Sequence, residues 1–357
     1  MKKKSENRKN NKSIIVSTLI FVITFIAMAG YLIYFNLTQA ESIINNSYNK
    51  RQGVLSRHTI RGSILSDDKT KLAVTNVDDD GNETRYYPYS GLFSHAIGYL
   101  NNGGYGLESL YGYYMLHSNQ NFFEQIGNDL SGNRNTGENV VTTLNVGLQK
   151  ACYDALGSNR GAVIVMEPST GKILAMVSKP DFEPNTLAAN WSQITGEGSD
   201  SVLVNRATQG LYPPGSTFKL ITMLEYLREH KNDYGQYHYI CDGTYELGNN
   251  TINCVRTTAH GDVDLFSSLA VSCNCSFINI GLSLDLDRYK KTAEKMLFNK
   301  ELPTNLEYNK SRFVLNGESS EWDIAQTSFG QGKTVITPFH LALITCTIAN
   351  NGTLMKP

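Results

Sequence analysis

Ser216 and Lys219 are three residues apart and have the side chains of a nucleophile and its base. A serine hydroxyl becomes reactive only when a base takes its proton, and a lysine can do this when burial keeps its amine neutral. The pair follows Pro213-Pro214-Gly215 and precedes an apolar run. This context predicts serine nucleophile chemistry, and the ordinary alternative is a serine helix cap followed by a surface lysine.

The Ser-x-x-Lys spacing alone is weak evidence, because it occurs four times in the chain. The other three occurrences are Ser47 to Lys50, Ser66 to Lys69 and Ser169 to Lys172. The first lies in a polar stretch, and the other two lie in predicted turns. Only Ser216 is followed by a pattern that predicts a buried helix.

That helix is predicted from apolar residues at helical spacing. They are Phe218, Leu220, Ile221, Met223, Leu224 and Leu227. Because they cover much of the circumference, we expect a buried helix. Ser216 would lie at its N-terminal end, where backbone amides favour developing negative charge, and Lys219 would project from the same face.

A second candidate element is "LFSSLAVSCNCSF", Leu265 to Phe277. We predict a helix in which one face carries Leu265, Leu269, Ser272 and Ser276. Ser272-Cys273-Asn274 ends the apolar part of this helix, where side chains can point into a cleft. The Ser272 hydroxyl could pass a proton to a leaving amine, and the Asn274 amide could hold a substrate amide.

Other patterns predict the elements that position these residues. "RGSILSDDKTKLAV" predicts two short strands around a turn at Ser66-Asp67-Asp68, and Asn145 predicts a cap before a helix from Val146. Ala162 to Met166 and Ile173 to Val177 predict a hairpin.

The six cysteines are Cys152, Cys241, Cys254, Cys273, Cys275 and Cys346. Cys241 and Cys254 flank a predicted hairpin with Gly-Asn-Asn at its tip, so a disulfide there is one alternative. Cys273-x-Cys275 lacks a second pair at the usual spacing of a zinc site. We therefore expect buried thiols, no metal and no cofactor.

The N-terminus predicts a membrane anchor. Ile14 to Phe35 contains no charged residue and would span about 33 Å as a helix. Six basic residues precede it, which predicts a cytoplasmic N-terminus and an extracytoplasmic remainder. A cleaved signal peptide ending at Thr38-Gln39-Ala40 is the alternative.

The charge balance of the chain gives no support for a nucleic-acid partner. The chain has 32 Lys and Arg against 33 Asp and Glu.

Together these stretches resemble class B penicillin-binding proteins, the serine D,D-transpeptidases of bacterial wall synthesis. Stretches similar to the non-catalytic pedestal are "RGSIL", "KLAV", "YYPYSGLFSHAIGYL" and "GLESLY". Stretches similar to the transpeptidase domain are "TGKILAMVSKPDFEPN", "NRATQGLYPPGSTFK", "HGDVDLFSSLAVSCN", "FGQGKTVITPFHLAL" and "IANNGTLMKP".

The resemblance implies an α/β fold of the α+β type with four parts. These are a cytoplasmic tail (1–13), a transmembrane helix (14–35), a small mostly-β pedestal (36–139) and a transpeptidase domain (140–357). In the last part, an antiparallel sheet is flanked by helices. The expected location is the bacterial cell membrane, with a single pass.

The resemblance also implies roles. Ser216 would be the nucleophile, Lys219 the acylation base, Ser272 the proton relay and Asn274 a substrate-binding residue. The substrate would be a peptidoglycan stem peptide ending in D-Ala-D-Ala, cross-linked with release of D-Ala. β-Lactam antibiotics, membrane lipid and a membrane glycan polymerase are the other expected partners.

One departure from the family is the absence of Lys-Thr-Gly. Lys333-Thr334-Val335 lies in a different family segment, and its resemblance to a phosphate loop fails because residue 327 is Thr, where the loop needs Gly. We therefore expect the natural reading frame to continue past Pro357 into that motif, and the sequence as given to acylate little. The alternatives are a catalytically inactive scaffold of wall synthesis and a β-lactamase or β-lactam sensor.

Overall fold

The computed structural model describes residues 2–38, 55–196 and 199–357. The first helix is Lys2–Thr38, which contains the predicted anchor. Within Lys12–Thr38, the most apolar stretch of 18 residues has a mean hydropathy of 2.4 and is fully exposed. By length and composition this helix can cross a membrane. Ser47 and Lys50 lie outside the described residues.

A four-stranded sheet forms the centre of the N-terminal region, in the order Glu83–Tyr86, Lys71–Val77, Ile64–Leu65, Val140–Val141. The first three strands are antiparallel and the last pairs in parallel with Ile64–Leu65. The predicted turn is confirmed, because the Ser66 hydroxyl is bonded within it to Asp68 and Thr70. Ser66 is thereby accounted for as a turn residue.

Helices and short turns surround this sheet and give the region more helix than the predicted mostly-β pedestal. They are Ser90–Phe93, Ser94–Ile97, Gly106–Leu110, Tyr114–Leu116 and Phe122–Ser131. A further pair of short parallel strands joins Thr59–Ile60 to Asn135–Thr136.

A buried carboxylate ties three parts of this region together. The Glu108 carboxylate forms salt bridges with Arg61 Nε at 3.0 Å and with Arg85 Nε at 2.7 Å. All three side chains are almost fully buried. Since an unpaired buried charge is costly, the cluster is stable only with all its members present.

The predicted hairpin is confirmed as Gly161–Met166 paired with Ile173–Lys179. Helix Val146–Leu156 packs on it and begins at Asn145, whose side chain accepts from the Leu148 amide. Helix Pro338–Ala349 also packs on the hairpin. This is the predicted antiparallel sheet flanked by helices, and Ser169 lies in its turn.

The remaining helices and turns of the C-terminal region form a second layer. They are Trp191–Thr195, Gly215–Phe218, Lys219–Glu229, Tyr234–Gln236, Val255–Thr257, Leu265–Ala270, Asn274–Ser283, Leu286–Lys295 and Glu321–Ser328. The longer helices among them, with Gly215–Phe218 and Leu265–Ala270, enclose one core around Phe218, Phe277, Tyr289 and Phe298. The fold is therefore mixed α/β, as predicted.

Two small antiparallel pairs lie beside this layer. Thr244–Leu247 pairs with Asn250–Asn253, which confirms the hairpin between Cys241 and Cys254. His238–Cys241 pairs with Gly261–Asp264.

The two regions share buried apolar contacts. One core cluster contains Ile64 and Met115 from the N-terminal region together with Met176, Phe339 and Leu343 from the C-terminal region. The predicted domain boundary at residue 140 stays a prediction. Strand Val140–Val141, on the C-terminal side of that boundary, pairs with Ile64–Leu65 of the N-terminal sheet.

Candidate active site

Ser216 lies in a short 3-10 turn, Gly215–Phe218, that continues into helix Lys219–Glu229. Phe218 is buried below the turn, whereas the serine itself is exposed. The predicted helix start is therefore confirmed, with a tighter first turn than expected. Such a turn leaves backbone amides free to face a ligand at the serine.

The helix is buried as its apolar pattern predicts, with Leu220 as the exception. Ile221 and Met223 are buried, whereas Leu220 is 41% exposed, and the polar Thr222 and Glu225 are buried as well. The inward polar groups have partners: Thr222 Oγ1 lies 2.6 Å from the Tyr289 hydroxyl, and Glu225 accepts from Thr292. The helix thus buries polar side chains that have hydrogen-bond partners, which hydropathy does not reveal.

A glycine contact fixes the backbone before the serine. Gly215 has φ +61°, and its amide donates to the Gly330 carbonyl at 2.8 Å. A Cβ on Gly330, whose φ is +84°, would lie 1.8 Å from the Gly215 oxygen. Only glycine fits there, so the "FGQG" loop sets the position of the serine turn.

Lys219 is completely buried and lies at the centre of the site. Its Nζ is 3.3 Å from Ser216 Oγ, 2.9 Å from Ser272 Oγ, 2.7 Å from the Ser272 carbonyl and 2.7 Å from Asn274 Oδ1. The three short contacts match the three N–H donors of an ammonium group. The structure therefore brings all four predicted site residues together around one amine.

Ser272 completes a triangle with the other two side chains. Its hydroxyl donates to Ser216 Oγ at 2.9 Å. An amine and a hydroxyl are thus both within hydrogen-bond distance of the same serine oxygen.

The prediction of one continuous helix through Ser272 is wrong. Helix Leu265–Ala270 ends before it, and the next helix, Asn274–Ser283, begins after it. Ser272 has φ +54°, a strained conformation for a residue other than glycine. The break turns both Ser272 and Asn274 toward Lys219, which one straight helix face would not do.

Burial lowers the pKa of Lys219 to about 8, although nearby cysteine sulfurs oppose this shift. A lysine with this pKa supplies a useful fraction of neutral amine near neutral pH. Neutral Lys219 can accept the Ser216 proton, so the site has the parts of an activated serine nucleophile.

Sequence reasoning missed two supporting contacts. The Asn274 side-chain amide donates to the Asn253 carbonyl at 3.0 Å, and Gly330 holds Gly215. The acceptor in the Asn253 contact is a backbone carbonyl, so the residue type at that position gives no signal in the sequence.

Lys333 of the Lys-Thr-Val sequence lies on the surface, where it forms an ion pair with Asp323 at 3.0 Å.

Two family models match the chain. The penicillin binding protein transpeptidase domain matches residues 161–357, and the penicillin binding protein A dimerisation domain matches residues 61–140.

Curated relatives agree with these matches. The peptidoglycan D,D-transpeptidase PbpA of Mycolicibacterium smegmatis is 31% identical over 298 residues, covering 77% of this chain and 58% of the relative. PbpA of Mycobacterium tuberculosis is 34% identical over 255 residues, covering 66% and 51%. The chain thus spans little more than half the length of these relatives.

A solved structure is also similar. Penicillin-binding protein A from M. tuberculosis, determined as an imipenem acyl-enzyme complex, has a TM-score of 0.75 at 29% identity and covers 84% of this chain and 73% of its own. Fold, motif order and family models agree, and the chain belongs to the penicillin-binding protein transpeptidase family.

Proposed function

We propose that this protein is a penicillin-binding D,D-transpeptidase that cross-links peptidoglycan stem peptides. The observation that carries the proposal is the arrangement of Ser216 Oγ, Ser272 Oγ and the buried Lys219 Nζ, within 3.3 Å of one another. The names of the curated relatives support the substrate class.

In the proposed first step, neutral Lys219 accepts the Ser216 proton while Oγ attacks the carbonyl carbon between the two D-Ala residues. The Ser216 amide donates to the developing oxyanion. Ser272 then donates its proton to the departing D-Ala nitrogen and takes up the one held by Lys219, which returns the lysine to its neutral form. An acyl-enzyme on Ser216 and free D-Ala result.

In the second step, an amine from a neighbouring stem attacks the acyl carbon. The amine loses a proton to the same lysine and serine pair, and Ser216 Oγ recovers its proton. The new amide bond is the cross-link. Asn274, held by the Asn253 carbonyl, is placed to bind the substrate amide.

β-Lactams follow the first step because their strained amide replaces the D-Ala-D-Ala bond. Treatment of the protein, expressed from its own gene, with a fluorescent penicillin should give a covalent band. A Ser216→Ala variant should give none. The absence of labelling in the folded wild-type protein would instead support a catalytically inactive scaffold.

A β-lactamase is the other alternative for this site. Among the described residues, the side chains that hydrogen-bond Ser216 and Lys219 are Ser272 and Asn274. A carboxylate poised to activate a water is not among them, which favours a long-lived acyl-enzyme. Rapid loss of the penicillin label would contradict this.

We further propose that Lys12–Thr38 stays in the mature protein as a membrane anchor, with the N-terminus cytoplasmic and Ser216 outside. The proposed partners of the anchor are membrane lipid and a membrane glycan polymerase. N-terminal sequencing of membrane-extracted protein tests the anchor, and a new terminus at Glu41 would show a cleaved signal.

A further inference from the structure

Two cysteine pairs from separate parts of the chain meet beside the candidate active site. Cys241 and Cys254 flank the small hairpin, and Cys273 and Cys275 begin helix Asn274–Ser283. All four are buried and make one cluster, and none is in a disulfide. His260, half-buried, lies directly before strand Gly261–Asp264 and reaches the same cluster.

The sulfur spacing is that of ligands on a tetrahedral ion. Cys241 Sγ and Cys254 Sγ are 3.8 Å apart, and so are Cys254 Sγ and Cys273 Sγ. Cys241 Sγ is 3.5 Å from His260 Nδ1. Bond lengths of about 2.3 Å for Zn–S and about 2.0–2.1 Å for Zn–N give tetrahedral edges of about 3.8 Å and about 3.5 Å.

We propose that Cys241, Cys254, His260 and Cys273 bind one zinc ion. Their four ligand atoms all lie within 4.8 Å of one another. Three thiolates and an imidazole are a usual ligand set for a closed structural zinc site. A disulfide is a poorer fit, because it needs sulfurs about 2.05 Å apart.

Cys275 does not belong to the ligand set. Its Sγ is 3.4 Å from Cys254 Sγ, closer than two thiolates bound to one zinc ion would be. A thiol that donates its S–H to a ligand sulfur explains this short contact. Cys275 is therefore the matched control for the four ligands.

Backbone amides face two of the ligand sulfurs. The Ser276 amide donates to Cys273 Sγ at 3.3 Å. The amides of Gly243 and His260 are directed at Cys241 Sγ. Gly243 has φ +100°, which lets the chain turn back over the sulfur. Such hydrogen bonds orient metal ligands and hold them in place.

The zinc ion would also support the candidate active site. Cys273 lies between Ser272 and Asn274, and the Cys254 end of the hairpin carries Asn253, which accepts from Asn274. Metal binding at Cys273 would fix the strained backbone of Ser272. This consequence rests on the proposed function, whereas metal binding itself does not.

Metal content of the purified protein tests the site. We expect one zinc ion per chain by mass spectrometry after dialysis, and loss of that zinc in His260→Ala, Cys241→Ser and Cys273→Ser. Cys275→Ser, Cys152→Ser and Cys346→Ser should keep it. Zinc-free wild-type protein, or a disulfide within the cluster, would overturn the proposal. Retention of zinc by His260→Ala with loss in Cys275→Ser would overturn the ligand set.

A second measurement needs no core substitution. Wild-type protein treated with a chelator and then given zinc should regain its melting temperature at one equivalent. Replacement by Co²⁺ should produce the absorption of thiolate-to-cobalt charge transfer. An unchanged melting temperature and no such absorption would contradict the site. The link to Ser272 predicts that penicillin acylation slows after chelation and returns to the normal rate when zinc is added back. If zinc binds but its removal leaves the acylation rate unchanged, the link to Ser272 is refuted and the zinc site is not.

Discussion

Lys219 Nζ lies closer to Ser272 than to Ser216, with 2.9 Å to the Ser272 hydroxyl and 2.7 Å to its carbonyl against 3.3 Å to Ser216 Oγ. The lysine is thus positioned by the segment between two helices, and not only by its own helix. The strained backbone of Ser272 is what places both of its oxygens on the amine.

Replacement of Lys219 should nearly abolish acylation. Lys219→Ala removes the proposed base, and we expect penicillin acylation to slow by ~10²–10⁴-fold. Lys219→Arg should not restore it, because a guanidinium stays protonated. Stopped-flow labelling measures the rates, with Lys172→Ala in the unrelated Ser-x-x-Lys as control. A rate for Lys219→Ala within tenfold of the wild type would show that lysine is not the base.

Acylation should depend on pH through Lys219. Its pKa is lowered to about 8 by burial, so the protonated, inactive form dominates below that pH. We expect the acylation rate to rise about tenfold per pH unit up to pH ~8 and then to level off. A rate that is flat between pH 6 and pH 9 would contradict a lysine base. Circular dichroism at each pH provides the control for folding.

The contact between Gly330 and Gly215 should control the position of Ser216. Gly330→Ala places a Cβ against the Gly215 oxygen, and a displaced nucleophile can cost ~10²-fold in acylation rate. Gly352→Ala is the matched control, since Gly352 also has positive φ but an added Cβ would meet nothing within 4 Å. If both variants acylate equally, the effect is general backbone strain and the positioning argument is wrong.

Glu108 should be essential for the stability of the N-terminal region. Glu108→Gln removes the charge between Arg61 and Arg85, which leaves two buried cations. We expect the free energy of unfolding to fall by about 3–5 kcal/mol. Asp154→Asn breaks an exposed pair with Lys150 and should cost less than about 0.5 kcal/mol. Urea unfolding compares the two variants, and equal losses would refute the role of the buried cluster.

The candidate site residues could be proposed from the sequence because their signals are local. Ser216 and Lys219 are one turn apart, and the turns at Ser66 and Ser169 could be recognised from their own residues. The hairpins and the helix after Asn145 follow from periodicity and caps over a few residues. The same short-range rules identified Ser272 and Asn274 as a pair.

Features that depend on distant segments were not predictable in this way. The helix break at Ser272 and the hold of Gly330 on Gly215 arise from tertiary packing. The cysteine pairs are each unremarkable in sequence, and only the fold brings Cys254 to Cys273. The burial of Thr222 in helix Lys219–Glu229 was missed for a related reason, because its hydrogen-bond partner Tyr289 lies on another helix.

The most direct test of the account is the site of the covalent adduct. Protein expressed from its own gene is treated with penicillin, digested and analysed by tandem mass spectrometry. We predict the adduct on Ser216, in the peptide that contains "YPPGSTFK". An adduct on Ser66, Ser169 or Ser272, with Ser216 unmodified, would contradict the proposed nucleophile and the mechanism built on it.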